Sequence, residues 1–324
     1  MDLGDPGPGQ ALIRTTLTTI CGSDIHLVDE FPEIPAGTPM GHEAIGVVEA
    51  VGDGVERLQP GQRVASACLT SCGHCRRCRQ GEYQVCSEHG APFNLLFGAQ
   101  GEAFLLNGAD FSATVVPEAL DDRHALLATD ILSTGFGAVE RGGVKPGDSV
   151  AVFAQGPVGL CCTIAAAYYG AEPLIAVESI PERVELAKRF GATHVFTPEN
   201  AVSEILRLTD QAGVDVAVEA LGKQITFENC CRVTRFGGTV SSVGVYGGIP
   251  SLSMPTDGTF QHRSFVSTLC PTGVGRLDFL LGLIESGKVD PTPMLTHTMT
   301  REELPEAYRR FRTHSDGIVK LTIR

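Results

Sequence analysis

The sequence predicts an α/β protein of two domains, one irregular and β-rich, the other a doubly wound parallel sheet flanked by helices. Three observations lead there. At 324 residues the chain exceeds one ordinary core and fits two domains of typical size. Up to about residue 130 it is rich in Gly, Pro, Cys and His around short alternating runs, the texture of irregular β structure. From about Ser149 the apolar runs SVAVFAQ, PLIAVES, VDVAVEAL and GTVSSVGV alternate with helix-like segments, which is a βαβ pattern. That alternation ends after about Cys270. The expected domains are therefore residues 1–130 with 271–324, and residues 131–270.

Each element has its own cue. Ala44 to Val51 alternates as a half-buried strand does, and ILSTGFGAV after Asp130 has helical texture. Ser149 to Ala154 is a strand that runs into Gln155-Gly156-Pro157-Val158-Gly159, and Leu160 to Tyr169 is the apolar helix that follows. Pro181 to Phe190 is a further helix, with Pro181 tolerated in its first turn. The tail holds an apolar helix (DFLLGLIESG) and a closing strand (GIVKLTIR).

Composition narrows the function. A net charge of −13 argues against nucleic acid, because phosphate binding needs clustered Lys and Arg. Apolar stretches such as Val150 to Ala154 are broken by Gly, Pro or charge well before membrane-spanning length. The opening MDLGDPGPGQ lacks the basic and apolar regions of an export signal, so a cytoplasmic protein is expected. Eleven cysteines in such a chain point to reduced thiols and metal rather than disulfides.

The strand, tight turn and helix around Gly156, Pro157, Val158 and Gly159 form the arrangement that seats a pyrophosphate on a helix N-terminus, as in a Rossmann domain. Gly156 lets the backbone approach phosphate, and Gly159 lets the helix pack on the sheet. The first glycine of that fingerprint is Ala154 here, and an ordinary βα turn is the plainer alternative. Glu178, at the end of the next strand, stands where a carboxylate receives ribose hydroxyls and repels a 2′-phosphate, which favours NAD over NADP. A solvated strand-end charge is its bland reading, and Arg183 is the nearest base that could soften the discrimination.

Cys72, Cys75, Cys78 and Cys86 form C-x2-C-x2-C-x7-C. Four thiolates so spaced can close a tetrahedral shell around one structural Zn²⁺; an iron–sulfur cluster or four free thiols are the alternatives. A second set is scattered: Cys21 in CGSDIH, His42 and Glu43 in GHE, and Asp130 in TD. Mixed S, N and O donors from separate loops suit a catalytic zinc with an open position. Singly, Cys21 reads as a small buried hydrophobe, His42 as a core histidine, Asp130 as a helix N-cap and Glu43 as a surface charge.

Taken together with the cofactor turn, these motifs resemble the medium-chain zinc-dependent alcohol dehydrogenase family. GHEAIG through Gly52 and Val55 resembles its zinc signature, CGSDIH its first ligand and proton relay, and the four-cysteine loop its structural-zinc lobe. AQGPVG with Glu178 resembles its cofactor fold, and Val243-Gly244-Val245 the strand end that meets nicotinamide. TDILSTGF is similar to the bacterial secondary-alcohol branch, where Asp is the third ligand.

The resemblance implies a GroES-like catalytic domain and a Rossmann domain. It implies two Zn²⁺ per chain, with Cys21, His42 and Asp130 as catalytic ligands and Glu43 close by or exchangeable. It further implies a relay from Ser23 through the cofactor ribose to His26, and Asp24 orienting a ligand histidine. The implied reaction is hydride transfer between NAD and a secondary or primary alcohol or polyol. Homo-oligomers are implied too, paired through the late strands Gly238 to Val245. The resemblance departs at Ala154 and at a short N-terminus, for which the expectation is either a missing edge element of the catalytic domain or a wrongly assigned start. Rival readings are a zinc-free alkene or quinone reductase of the same superfamily, and a non-catalytic zinc and nucleotide binder.

Overall fold

The computed structural model describes residues 3–30, 35, 37–89, 94–249, 251–258 and 261–324. In chain order the elements begin with β1 (Ala11–Thr19), α1 (Gly22–Glu30), β2 (Ala44–Val51), β3 (Arg63–Ser66), α2 (Arg76–Arg79), β4 (Ala103–Leu106), α3 (Ala109–Ser112), β5 (Ala113–Val115), α4 (Asp122–Leu126) and α5 (Ile131–Gly142). They continue with β6 (Val150–Phe153), α6 (Pro157–Tyr168), β7 (Leu174–Val177), α7 (Pro181–Arg189), β8 (His194–Phe196), α8 (Ala201–Leu208), β9 (Val214–Glu219), α9 (Gln224–Val233), β10 (Thr234–Ser242) and β11 (Ser264–Ser267). The tail adds α10 (Val274–Glu285), β12 (Leu295–Met299), α11 (Leu304–Thr313) and β13 (Lys320–Ile323). The chain divides into two compact units, Met1–Ser133 with Cys270–Arg324, and Thr134–Leu269.

The first unit is built on a seven-stranded sheet ordered β12-β13-β1-β2-β3-β5, with β4 also paired to β1. Apart from the parallel β12–β13 pair, its pairings are antiparallel. Alternation decides its core: Ala11 and Ile13 of β1, Ala44 and Val48 of β2, and Phe104 of β4 point inward and pack together. A second cluster ties Ile20 to Phe311 of α11 and to Leu321 and Ile323 of β13, so the chain's closing strand backs the loop that carries Cys21.

The second unit has one six-stranded, all-parallel sheet ordered β11-β10-β9-β6-β7-β8. β6 and β7 are buried at every position because helices cover both faces, which is why they read as unbroken apolar runs. Phe153 and Ile175 lie in its core, and burying such side chains contributes about 1.5–3 kcal/mol each. From β6 the chain moves outward through β7 and β8, then returns to the other side of β6 with β9. The order therefore reverses between β6 and β9, the switch point where this architecture opens a crevice at the strand ends. The turn 155–159 leaves β6 at that place.

One expectation needs correcting. The late strand expected at an edge, Gly238 to Val245, is not one: β10 ends at Ser242 and is hydrogen-bonded on one side to β9 and on the other to β11. β11, which sequence texture did not mark, is the edge on that side, and β8 is the edge on the other.

Candidate active site

The scattered donors converge. Cys21 follows β1 at the start of α1, His42 and Glu43 immediately precede β2, and Asp130 immediately precedes α5; all four are buried and one ligand atom from each lies within 4.8 Å of the others. Cys21 Sγ is 3.6 Å from Asp130 Oδ2, and His42 Nε2 is 3.3 Å from the same oxygen. A tetrahedral zinc with its usual bond lengths sets donor edges of about 3.5 Å for S–O and about 3.4 Å for N–O. The donor set thus fits zinc in kind and in spacing.

Backbone chemistry explains why these side chains meet. Asp24, in the first turn of α1, accepts the Cys21 N–H through Oδ2 at 2.9 Å, a return bond that fixes the helix start. Its other oxygen lies 3.0 Å from His42 Nδ1, which leaves Nε2 to face Asp130. Gln100 donates to Asp24 Oδ2 at 3.1 Å and to the Thr19 carbonyl at 3.1 Å, and Tyr308 of α11 donates to Gln100 at 2.9 Å. Gly41 has φ of +95°, and a Cβ there would come within 2.5 Å of the Gln100 side chain, so only glycine allows this approach.

Glu43 is 1% exposed and its Oε1 accepts from Lys320 Nζ at 2.5 Å, while Oε2 has no hydrogen-bond partner among the described residues. Lys320 is wholly buried in β13 and also donates to the Ile20 carbonyl at 3.3 Å. The Glu43 carboxylate overrides the burial that would neutralise Lys320 and holds its ammonium above the usual lysine range. Burial, opposed by Lys320, leaves Glu43 itself raised. Burial and then the Asp130 carboxylate push the Cys21 thiol up. His42 is lowered by burial alone, but Asp24 first, and then hydrogen bonding to Asp130, bring it well above the ordinary histidine value.

Of the expected relay pair, Ser23 donates to Cys21 Sγ at 3.1 Å, at the inner end of α1. His26, one turn further on and half-buried, pairs through Nδ1 with Glu30 Oε2 at 2.9 Å. The two residues thus stand at inner and outer ends of one short helix face.

Cys72, Cys75, Cys78 and Cys86 form a second buried cluster in the loop between β3 and β4. Cys72 Sγ and Cys78 Sγ are 3.9 Å apart, against a tetrahedral S–S edge of about 3.8 Å. Backbone N–H groups of Cys75, Cys78 and Cys72 point at the sulfurs of Cys72, Cys75 and Cys86 at 3.3, 3.4 and 3.4 Å. Donors aimed at sulfur favour thiolate, and those from Cys78 and Ser87 pull Cys75 down to about 5.

In the second unit, Gly156 precedes α6 with an extended backbone, and its missing Cβ would meet no protein atom within 4 Å. No side chain caps α6, so its first N–H groups take no bond from an N-cap side chain. Gly159 is required by packing, since a Cβ there would lie 1.9 Å from the Ala154 carbonyl oxygen. Glu178 Oε1 accepts from the N–H groups of Ser179 and Ile180 at 2.8 and 3.1 Å, and Oε2 from that of Gln155 at 3.0 Å. Arg183 lies 3.8 Å from Oε2. Val243 and Gly244, just past β10, donate to the Glu219 carbonyl, and Val245 beyond them is exposed.

Sequence reading passed over three groups. Lys320 was signalled only by a charge inside an apolar closing strand. Glu219, fully buried at the end of β9, accepts from Leu221, Gly222, Thr226 and Tyr246 and so ties the loop after β9 to the segment after β10. Cys68 donates to Asp130 Oδ1 at 3.4 Å, and the Cys270 thiol contacts the Asp130 carbonyl at 3.5 Å. Nothing local marks either cysteine.

Residues 7–118 match the family model described as an alcohol dehydrogenase GroES-like domain, and residues 157–285 match that of a zinc-binding dehydrogenase. An alcohol dehydrogenase of Cupriavidus necator is 38% identical, with 99% of this chain and 93% of the relative covered. An NADP-dependent isopropanol dehydrogenase of Thermoanaerobacter brockii is 32% identical over 90% of this chain and 86% of its own length. The solved structure titled zinc dependent alcohol dehydrogenase 2 from Streptococcus pneumonia superposes with a TM-score of 0.92 at 35% identity, covering 100% of this chain and 94% of that one. Alcohol dehydrogenase TADH from Thermus sp. ATN1 does so with 0.88 at 35% identity, covering 100% and 95%.

Proposed function

Because the chain belongs to the medium-chain zinc-dependent alcohol dehydrogenase family, and is an alcohol oxidoreductase of GroES-like and Rossmann-type parts, we propose that it oxidises secondary alcohols or polyols with NAD. In this reading Met1–Ser133 with Cys270–Arg324 is the catalytic part and Thr134–Leu269 the cofactor part. Cys21, His42 and Asp130 hold a catalytic zinc, with Glu43 beside it; Cys72, Cys75, Cys78 and Cys86 hold a structural one. The observation that carries the reading is the convergence of sulfur, imidazole and carboxylate at tetrahedral spacing from three separate loops.

Zinc held there would act as a Lewis acid that makes an alcohol proton easy to lose near neutral pH. The protein's own part is to hold the donors, through Asp24 on His42, and to move that proton. Ser23 is placed to accept it, and its present bond to Cys21 Sγ shows the hydroxyl turned toward the donor set. His26 carries the proton to water at the outer end of α1, its ring held by Glu30 at 2.9 Å. The turn Gly156, Pro157, Val158, Gly159 would seat the cofactor phosphates, and Val243, Gly244 and Val245 would meet the nicotinamide. The eleven cysteines form no disulfide, which is in keeping with a cytoplasmic site of action.

NAD is supported by Glu178. Three backbone N–H groups hold its carboxylate in place, and on Oε2 only one of them bonds, so that oxygen keeps capacity for a ribose hydroxyl. A 2′-phosphate there would meet a fixed negative charge, which Arg183, 3.8 Å from Oε2, offsets only in part. The test is NADH and NADPH formation across a panel of alcohols and polyols, with wild type and Glu178→Ala, alongside zinc analysis. We expect two zinc ions per chain, a preference for NAD, and a narrower preference in the variant. Equal efficiency with both cofactors would remove the Glu178 argument, and a single zinc would remove one of the two sites.

A further inference from the structure

Asp130 is shared between two donor sets. Its Oδ2 faces Cys21 and His42, while Oδ1 accepts from Cys68 at 3.4 Å. Cys68, Asp130 and Cys270 each offer one ligand atom within 4.8 Å of the other two, and all three are buried. The backbone holds the two cysteines there from distant parts of the chain. The Cys68 N–H bonds the Thr129 carbonyl at 3.1 Å, beside Asp130. The Thr272 hydroxyl bonds the Leu69 carbonyl at 2.9 Å, which fastens the residues next to Cys270 to those next to Cys68. Leu69 and Leu95 close the pair off from the side.

We propose that Cys68, Cys270 and Asp130 Oδ1 form a further metal site for a thiophilic d¹⁰ divalent cation, bridged through the Asp130 carboxylate to the Cys21–His42 site. The proposal rests on the reading of Asp130 as a catalytic ligand. Its chemistry is that of soft donors: two thiols and one carboxylate oxygen match zinc and related cations, and leave a fourth position free. The spacing agrees, since the observed 3.4 Å between Cys68 Sγ and Asp130 Oδ1 is close to the tetrahedral S–O edge of about 3.5 Å. Small rotamer changes would bring the two sulfurs from within 4.8 Å to an S–S edge of about 3.8 Å.

Charge agrees as well. In the catalytic-site reading the ligands Cys21 and Asp130 and the adjacent Glu43 carry three negative charges, which one divalent cation and the buried Lys320 ammonium balance. Cys68 and Cys270 would add two more as thiolates. A second divalent cation matches them, and a buried cluster so neutralised avoids the cost of uncompensated charge. Cys68 meets the Asp130 carboxylate, while Cys270 turns to the Asp130 and Pro271 carbonyls at 3.5 and 3.4 Å, within 4.8 Å of the other two donors.

The full-length protein in its two-zinc form, with thiols kept reduced, is titrated with Cd²⁺ alone. Bound cadmium and retained zinc are counted by elemental analysis after desalting, and cadmium–thiolate charge-transfer absorbance is followed in the ultraviolet. The expected result is one cadmium taken up per chain with no zinc released, and loss of that equivalent in C68S/C270S. Protein isolated with three zinc ions, reduced to two in the same double variant, is the equivalent result. Cadmium uptake matched by zinc release, or uptake kept in the double variant, overturns the proposal. If the double variant does not fold by circular dichroism, C270S serves, because it removes one of three donors without touching the Cys68–Asp130 bond and must still weaken uptake. A starting count of one zinc that His42→Ala leaves unchanged marks failure of the catalytic-site reading itself, and is read before any cadmium is added.

Discussion

His42 and His26 stand in the same unit, yet their surroundings assign them different losses. His42 is buried with one ring nitrogen on Asp24 and the other toward Asp130, so His42→Ala removes a proposed zinc donor and should abolish hydride transfer along with about one zinc per chain. His26 touches none of those donors; it pairs with Glu30 near the surface. His26→Ala should therefore keep zinc and NAD bound while turnover falls about a hundredfold, as loss of a general acid or base does. A small buffer base should restore part of that turnover in proportion to its concentration at fixed pH. Unchanged activity of His26→Ala across the pH range would end the relay assignment. Lys320 gives a second residue-level forecast. Removing one partner of a buried pair strands the other's charge, so Lys320→Met should destabilise the protein by about 3–5 kcal/mol. Adding Glu43→Gln should recover most of that in thermal unfolding. A double variant no better than the single would mean that Lys320 matters for its packing and not for its charge.

At the scale of elements, the turn between β6 and α6 joins sequence to conformation most directly. Ala154 has φ of +73°, a left-handed backbone that costs a residue with a Cβ about 1–2 kcal/mol. This is why a glycine is the fingerprint's usual first residue, and why alanine here is a departure in strain and not in topology. Ala154→Gly should stabilise the chain by about 0.5–1 kcal/mol, after the entropy glycine brings to the unfolded state is deducted. A urea midpoint that moves down would show that the Ala154 methyl packs more favourably than its backbone strains. The same turn shows what sequence can reveal. Gly156 to Gly159 and Cys72 to Cys86 lie within short contiguous stretches whose spacing already encodes their geometry, so both were legible. Cys21, His42 and Asp130 were legible as a set only through their resemblance to known motifs, since each alone has a plain core reading. Lys320, Cys68 and Cys270 were not legible, because what defines them is a neighbour from a far part of the chain, supplied by the pairing of β1 with β13 and by the bond from Thr272 to Leu69. Edge order failed for a related reason: β11 is four residues long and mostly exposed, and no periodicity announces which strand ends a sheet.

At the scale of the whole molecule, the position of β11 bears on assembly. An edge strand offers unpaired N–H and C=O groups, and proteins either cover such an edge or use it. Here Ser264, Phe265 and Ser267 of β11 are exposed, and Phe236 on neighbouring β10 is 63% exposed with the Arg263 guanidinium 4.8 Å from its ring centre. No charge or proline lies within β11 itself to block pairing. A second copy related by a twofold axis would continue the sheet β11 to β11 and cover the same patch on both chains, which is a closed, self-limiting arrangement. The family's habit of pairing cofactor domains points the same way, and the expected site of pairing moves from Gly238–Val245 to β11. Light scattering at micromolar concentration should then give at least twice the chain mass of 34.3 kDa. Ser264→Lys with Ser267→Lys places charge on the edge without entering the core, and should yield monomers with an unchanged circular dichroism spectrum. Wild-type protein that scatters as a monomer would refute the assembly, whereas a double variant that stays dimeric would place the interface on another surface.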